Sequence, residues 1–226
     1  MANHGRTRET LGLLAARARL QPLCLDCYPY DASSTMLAAE RVDKVARVLI
    51  THSEPHPQAA GRDLDDLARQ WGVDRCAAAQ RLVPGRAIYF GMDERDVQAV
   101  LGFPQTMVGS DGLACDPSPH PRLWGAFTRV LGHYSRELGL LSLEQPVHKM
   151  TGLPACQFGL ADRGCIRPGA FADLTVFDPA RVADRATYAS PAQASAGVHA
   201  VVVNGAVAMA DGVATAARAG RVLARG

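Results

Sequence analysis

The 226-residue sequence has no apolar run approaching the roughly 18 residues that a membrane-spanning helix needs. It has little excess charge. With 24 Lys and Arg against 22 Asp and Glu, the net charge of +2 gives no electrostatic reason to expect nucleic acid or an anionic membrane as partner. Nor do the opening residues, Met1-Ala2-Asn3-His4-Gly5-Arg6, lead into a signal-peptide core, so a cytosolic location with reduced thiols is the expectation. The six cysteines are scattered. Cys24-Leu25-Asp26-Cys27 is formally a C-x-x-C, but it lacks the second pair of a zinc site and the helix start of a redox motif. It reads as two thiols on a strand. Internal repeats are absent, and no aromatic surface cluster supports a small binding scaffold.

What is present is an ordinary globular composition, 48% hydrophobic and 20% charged, long enough for one large domain or two small ones. Residues 7–20 place leucines and alanines at helical spacing, and Leu23 to Cys27 forms a short buried strand ended by Tyr28-Pro29-Tyr30. Residues 35–87 read as an insertion, with Pro55 and Pro57 followed by helices near 63–71 and 75–82. Ala87 to Phe90, a helix over 94–101 and Thr106 to Val108 then read as strand, helix, strand, which predicts a parallel sheet. A helix over 123–138 carries Trp124, Phe127, Val130, Leu131 and Tyr134 on one side, and a second begins near Leu143. From about residue 165 the character changes to a small β subdomain. It comprises a strand over 172–178, a hairpin turning at Asn204-Gly205, a turn at Asp211-Gly212 and a final strand over 220–226.

The stretch richest in chemistry is Val108-Gly109-Ser110-Asp111-Gly112, followed by Pro121-Arg122-Leu123-Trp124-Gly125. A strand ending in this turn carries Asp111 at its carboxyl end, where α/β barrels collect catalytic groups. There a carboxylate can bind a metal or take a proton from water, although Ser-Asp-Gly is also common turn chemistry. Arg122 offers a forked cation suited to a carboxylate-bearing substrate. His120, His133 and His148 are spaced by 13 and 15 residues, which fits no short ligand motif. His52 and His56 fall in the insertion.

Three blocks carry a resemblance. They are Cys24 to Tyr30 with Ser34-Thr35-Met36-Leu37; Gly109 to Gly112 with His120 to Gly125, Val130 to Arg136 and His148 to Pro154; and Arg163-Gly164 with Pro168-Gly169, Ala172-Asp173-Leu174 and Phe177-Asp178. Together they resemble the C-terminal half of N-acyl-D-amino-acid deacylases (D-aminoacylases) of the amidohydrolase superfamily. The resemblance implies an α/β fold, the last strands of a metal-dependent (β/α)₈ barrel over residues 1–164 with the insertion at about 35–87, and a small β subdomain over 165–226. It further implies a zinc-dependent hydrolase of N-acyl-D-amino acids. Asp111 would be metal ligand and catalytic proton carrier, Arg122 would bind the substrate carboxylate, and Tyr28 and Ser34 would hold the substrate.

The departures are specific. The family's H-x-H is absent, no strand bearing a metal histidine precedes His4, and Cys115 stands just past the turn where relatives commonly have His. By that alignment His4 is not a ligand. Five of six expected metal ligands are missing, so the expectation for the isolated chain is an inactive remnant. The alternative is half of a split enzyme completed by a separate N-terminal chain.

Overall fold

The computed structural model describes residues 4–223. In chain order these form α1 (Thr7–Ala18), β1 (Leu25–Cys27), β2 (Ala32–Met36), α2 (Ala39–Val42), β3 (Arg47–Ser53), α3 (Leu64–Trp71), α4 (Arg75–Leu82) and β4 (Gly85–Phe90). There follow α5 (Glu94–Gly102), β5 (Thr106–Val108), α6 (Arg122–Arg129), α7 (Glu144–Met150) and α8 (Gly152–Phe158). The chain then forms β6 (Leu174–Phe177), β7 (Val198–Val203), β8 (Ala206–Ala210) and β9 (Val213–Ala214).

The frame is one parallel pair. β1 lies beside β5 with Leu25, Asp26 and Cys27 opposite Thr106, Met107 and Val108, and α5 is the crossover that packs on them. Parallel strands need a crossover of this kind, because a tight turn cannot reverse the chain twice. Val97 and Leu101 of α5 meet Val108, Val130, Tyr134 and Leu141 in the core behind the pair. Asp96 of α5 also accepts hydrogen bonds from the Gly5 and Thr7 amides, which fixes the start of α1.

Between β1 and α5 the chain builds a separate lobe. β2, β4 and β3 form an antiparallel sheet in that order, running from Ala32 to Phe90. The helices of the lobe begin where carboxylates can cap them: Asp63 accepts from the Asp65 amide and Asp74 from the Ala77 amide. Val48, Ile50, Leu64, Leu67, Leu82 and Ala87 close the core, with Trp71 packed against it. This corrects one expectation. Ala87 to Phe90 is a strand, but it belongs to the lobe, and β5 takes β1 as its parallel partner instead. Alternating apolar residues give a strand and its buried face; they do not name its neighbour.

α6 continues through π-helical turns over Val130–Glu137. Val130, Leu131 and Tyr134 are buried as expected, but Trp124 and Phe127 are exposed. The π turns begin only at Val130, after both of these residues, so their exposure reflects which face of the α-helical turn is covered. The buried side at the start of α6 belongs to Arg122, Gly125 and Ala126. A Cβ on Gly125 would stand 2.7 Å from the Tyr30 hydroxyl, so only glycine lets the helix approach so closely.

β6 to β9 form an antiparallel meander. Its hairpin turns at Asn204 and Gly205, whose φ angles of 47° and 83° are those of a type I′ turn, and Asp211-Gly212 turns alike at 48° and 80°. Residues 220–223 carry no strand, and the rest of the strand expected over 220–226 lies outside the described residues. With no ladder partner the segment has nothing to hold it extended. Among the described residues no helix is long and apolar enough to cross a membrane.

Leu67 is fully enclosed in the lobe core. Leu67→Ala is expected to lower stability by about 2–5 kcal/mol. The measurement is urea unfolding followed by Trp71 fluorescence in a Trp124→Phe background. A loss under about 1 kcal/mol would show that the lobe is not packed around this side chain.

Candidate active site

Thr106, Met107 and Val108 are buried, and the Gly109 amide extends the parallel pair by donating to the Cys27 carbonyl. A Cβ at Gly109 would stand 3.1 Å from Asp26 Oδ2, so glycine leaves that carboxylate room beside the strand end. Ser110 Oγ accepts from the Gly112 amide, and Asp111 turns the chain with φ of 45°, a left-handed conformation that aspartate tolerates better than most residues. The turn carries the Asp111 carboxylate to the carboxyl end of β5. Tyr28 occupies the matching position directly after β1.

Arg122, the first residue of α6, completes the group. Its Nη2 lies 2.8 Å from Asp111 Oδ2, and its guanidinium carbon sits 4.5 Å from the centre of the Tyr28 ring. Arg122 is 2% exposed and Asp111 62%, so a buried cation faces solvent through a carboxylate. Burying a guanidinium costs several kcal/mol unless it is paired, and the carboxylate and the aromatic face offset that cost. Arg122 Nε is buried without a hydrogen-bond partner among the described residues. Burial raises the Tyr28 phenol above its ordinary range, with Arg122 opposing, which leaves Tyr28 a neutral donor.

Ser34 lies mid-strand in β2, half-buried opposite Ile88. No hydrogen bond or ion pair among the described residues links it to Asp111, Arg122 or Tyr28. The fold therefore brings three of the four expected site residues into contact and sets the fourth on the adjoining lobe.

Several contacts seat the Asp111 loop on the lobe. Asp116 is buried, accepts from Thr51 Oγ1 at 2.9 Å and pairs with Arg86 at 2.5 Å. Arg86 also reaches Cys115 Sγ at 2.7 Å. His120 is 4% exposed and bonded through both ring nitrogens, to the Ala32 carbonyl at 3.2 Å and the Arg122 amide at 3.0 Å. Burial, with Arg122 nearby, brings its pKa down to about 3. The spacing of His120 fits no short metal-ligand motif, and such a motif is the wrong test for a histidine whose partners are backbone groups. Its place two residues before Arg122 was the available signal.

The other thiols and histidines stand apart. Cys27 donates to the Tyr28 carbonyl and is pushed up to about 12 by burial, then by Asp26 and Glu94, so it is no ready nucleophile. Cys24 lies outside β1, not on it. His133 pairs with Glu137, and His148 is exposed on α7. Among the described residues no group of three or more His, Cys, Asp or Glu is placed to hold a metal ion. Asp111 offers one carboxylate where a metal centre takes three or four protein donors, so this donor set does not fit a metal by itself.

Residues 6–209 match the amidohydrolase family. The chain is 54% identical over 223 residues to a D-aminoacylase of Alcaligenes xylosoxydans xylosoxydans, covering 99% of this chain and 46% of that protein. An N-acyl-D-aspartate deacylase and an N-acyl-D-glutamate deacylase of the same organism are 53% and 51% identical, with 45% and 46% of their lengths covered. The chain thus spans about half the length of the curated relatives it matches. The crystal structure of a D-aminoacylase superposes with a TM-score of 0.95 at 53% identity, covering 99% of this chain and 47% of that one. An N-acyl-D-glutamate deacylase from Bordetella bronchiseptica, solved with zinc and a phosphonate mimic of the tetrahedral intermediate, gives 0.93 at 52% identity over 100% of this chain and 47% of its own. Another D-aminoacylase structure is described by its binuclear metal centre. Metal is thus a cofactor in this family.

A histidine held neutral contributes stability that is complete above its ordinary pKa of 6.5 and is lost as the pH falls toward about 3. The wild-type melting temperature is therefore expected to fall across that window more steeply than that of His120→Asn. Carboxylates titrate in both proteins, so the difference in slope is the quantity to measure. Equal slopes would show that His120 is not held neutral by the fold.

Proposed function

The chain belongs to the amidohydrolase family, and on that premise we propose that its site serves hydrolysis of N-acyl-D-amino acids to a carboxylate and a free D-amino acid. The observation that carries this reading is the buried Arg122 guanidinium, stacked on Tyr28 and 2.8 Å from Asp111, at the carboxyl ends of two adjoining parallel strands. Arg122 binds the α-carboxylate through its guanidinium fork, which already meets one carboxylate, that of Asp111. Tyr28 closes the other side of the guanidinium, and Ser34 adds a hydroxyl from the lobe. Asp111, the more exposed member of the pair, takes a proton from the attacking water and passes it to the departing amine nitrogen. The relatives named for aspartate, glutamate and unspecified D-amino acids are almost equally similar to this chain, at 53%, 51% and 54% identity. What their substrates share is the acylated nitrogen and the α-carboxylate, the parts these residues address.

Zinc is the ion we assign to the completed site, and Asp111 is the donor this chain offers to it. The remaining donors must come from beyond the described residues, on the same polypeptide or a second one. A further reading follows from the donor count: residues 4–223 alone hydrolyse nothing, and a complementary polypeptide bearing the other barrel strands is the partner that would restore activity.

The test mixes this chain with a polypeptide spanning the unmatched half of the D-aminoacylase relative, in the presence of zinc. Release of D-methionine from N-acetyl-D-methionine is followed. Activity is expected only from the mixture. Asp111→Asn should lower kcat by about a hundredfold or more. Arg122→Met should raise KM by about ten- to a hundredfold, as for loss of a hydrogen-bonded charge. A folded, associated, inactive pair would overturn the reading and mark the chain as a remnant.

A further inference from the structure

His120 is enclosed, and both of its ring nitrogens meet backbone groups. The Ala32 carbonyl can only accept, so Nε2 carries the proton; the Arg122 amide can only donate, so Nδ1 is bare. The ring is wedged edge-on against Tyr30 at 5.1 Å and Tyr188 at 5.2 Å, with Tyr28 at 6.3 Å. One imidazole therefore spans two parts of the molecule. Ala32 opens β2, the lobe strand that carries Ser34 two residues on, on the same face of the sheet. Arg122 opens α6 and carries the guanidinium. No other side chain among the described residues hydrogen-bonds to the backbone of both elements.

We propose that His120 is a positioning residue, setting the spacing between Ser34 on the lobe and Arg122 on α6, and thereby the affinity of the site for a substrate carboxylate. The inference rests on the reading of Arg122 as the carboxylate-binding group. Its physical basis is that a bidentate cation discriminates by angle as well as charge. The guanidinium is held by its stacking on Tyr28 and by the helix start to which His120 is bonded. Loss of either imidazole bond removes the tie between the β2 backbone and that helix, so the strand bearing Ser34 and the helix bearing Arg122 are no longer held at one fixed spacing.

Two variants divide the two bonds. His120→Asn keeps an acceptor near the Nδ1 position and loses the donor to Ala32. His120→Gln reaches the Ala32 carbonyl and loses the acceptor for Arg122. The probes are N-acetyl-D-leucine and its neutral carboxamide, titrated by NMR against the 226-residue chain. Each variant is expected to weaken binding of the acid by about fivefold, as for loss of one hydrogen bond, while binding of the amide changes little. A merely structural role would lower both alike, and that outcome, or an unchanged acid affinity, overturns the inference.

Arg122→Met separates the premise from the inference. If the wild-type chain binds the acid no better than Arg122→Met, the carboxylate-binding reading itself fails. Should either His120 variant fail to fold, nitrogen-15 NMR of the wild-type imidazole decides. A protonated Nε2 with a bare Nδ1 at neutral pH supports the assignment; the opposite tautomer overturns it.

Discussion

A single buried cation organises the mouth of the parallel pair. The Arg122 guanidinium has been taken almost wholly out of water, at a cost that one ring face and one carboxylate must offset. Those two partners come from different strands, and they meet because β1 and β5 are neighbours in register. The left-handed turn at Asp111 brings its carboxylate to the cation, while Gly109 leaves room for Asp26 and Gly125 lets α6 approach Tyr30.

The inserted lobe is more than a decoration of the loop after β1. Its core is self-sufficient in apolar residues, yet its sheet touches the Asp111 loop through buried polar contacts: Thr51 with Asp116, Arg86 with Asp116, and Ala32 with His120. Buried polar networks of this kind fix one arrangement, since a half-made network leaves unpaired groups away from water. A rigid seat for the loop is what a site of sparse contacts requires. The lobe also carries Ser34, so the same contacts decide where that hydroxyl stands.

The matched relatives set the scale of what these residues can do. They are about twice as long as this chain, and those solved with metal are described by centres that a lone Asp111 cannot build. In the reading proposed above, Arg122 and Tyr28 address the substrate carboxylate and Asp111 is one donor toward a metal. Among the described residues, β1 and β5 form a two-stranded parallel sheet whose outer edges are unpaired.

Much of this was legible in the residues. The periodicity of α3, α5 and α6, the I′ turns at Asn204-Gly205 and Asp211-Gly212, and the strand ending in Gly109-Ser110-Asp111-Gly112 depend on neighbours a few positions away, so the sequence alone determines them. The family resemblance singled out Asp111, Arg122, Tyr28 and Ser34, and the fold places three of them in mutual contact. Strand partnership was not legible, because alternation marks a face and not a neighbour; hence β4 left the parallel sheet for the lobe. At the start of α6 the buried face is that of Arg122, Gly125 and Ala126, which leaves Trp124 and Phe127 exposed; which face of a helix is covered depends on its neighbours and not on its own spacing. The bonds of His120 and the seat of Asp116 join residues far apart in the chain. Local propensity determined the elements and the turn that bears Asp111. Only tertiary packing decided which elements lie side by side, and so which buried charge meets which partner.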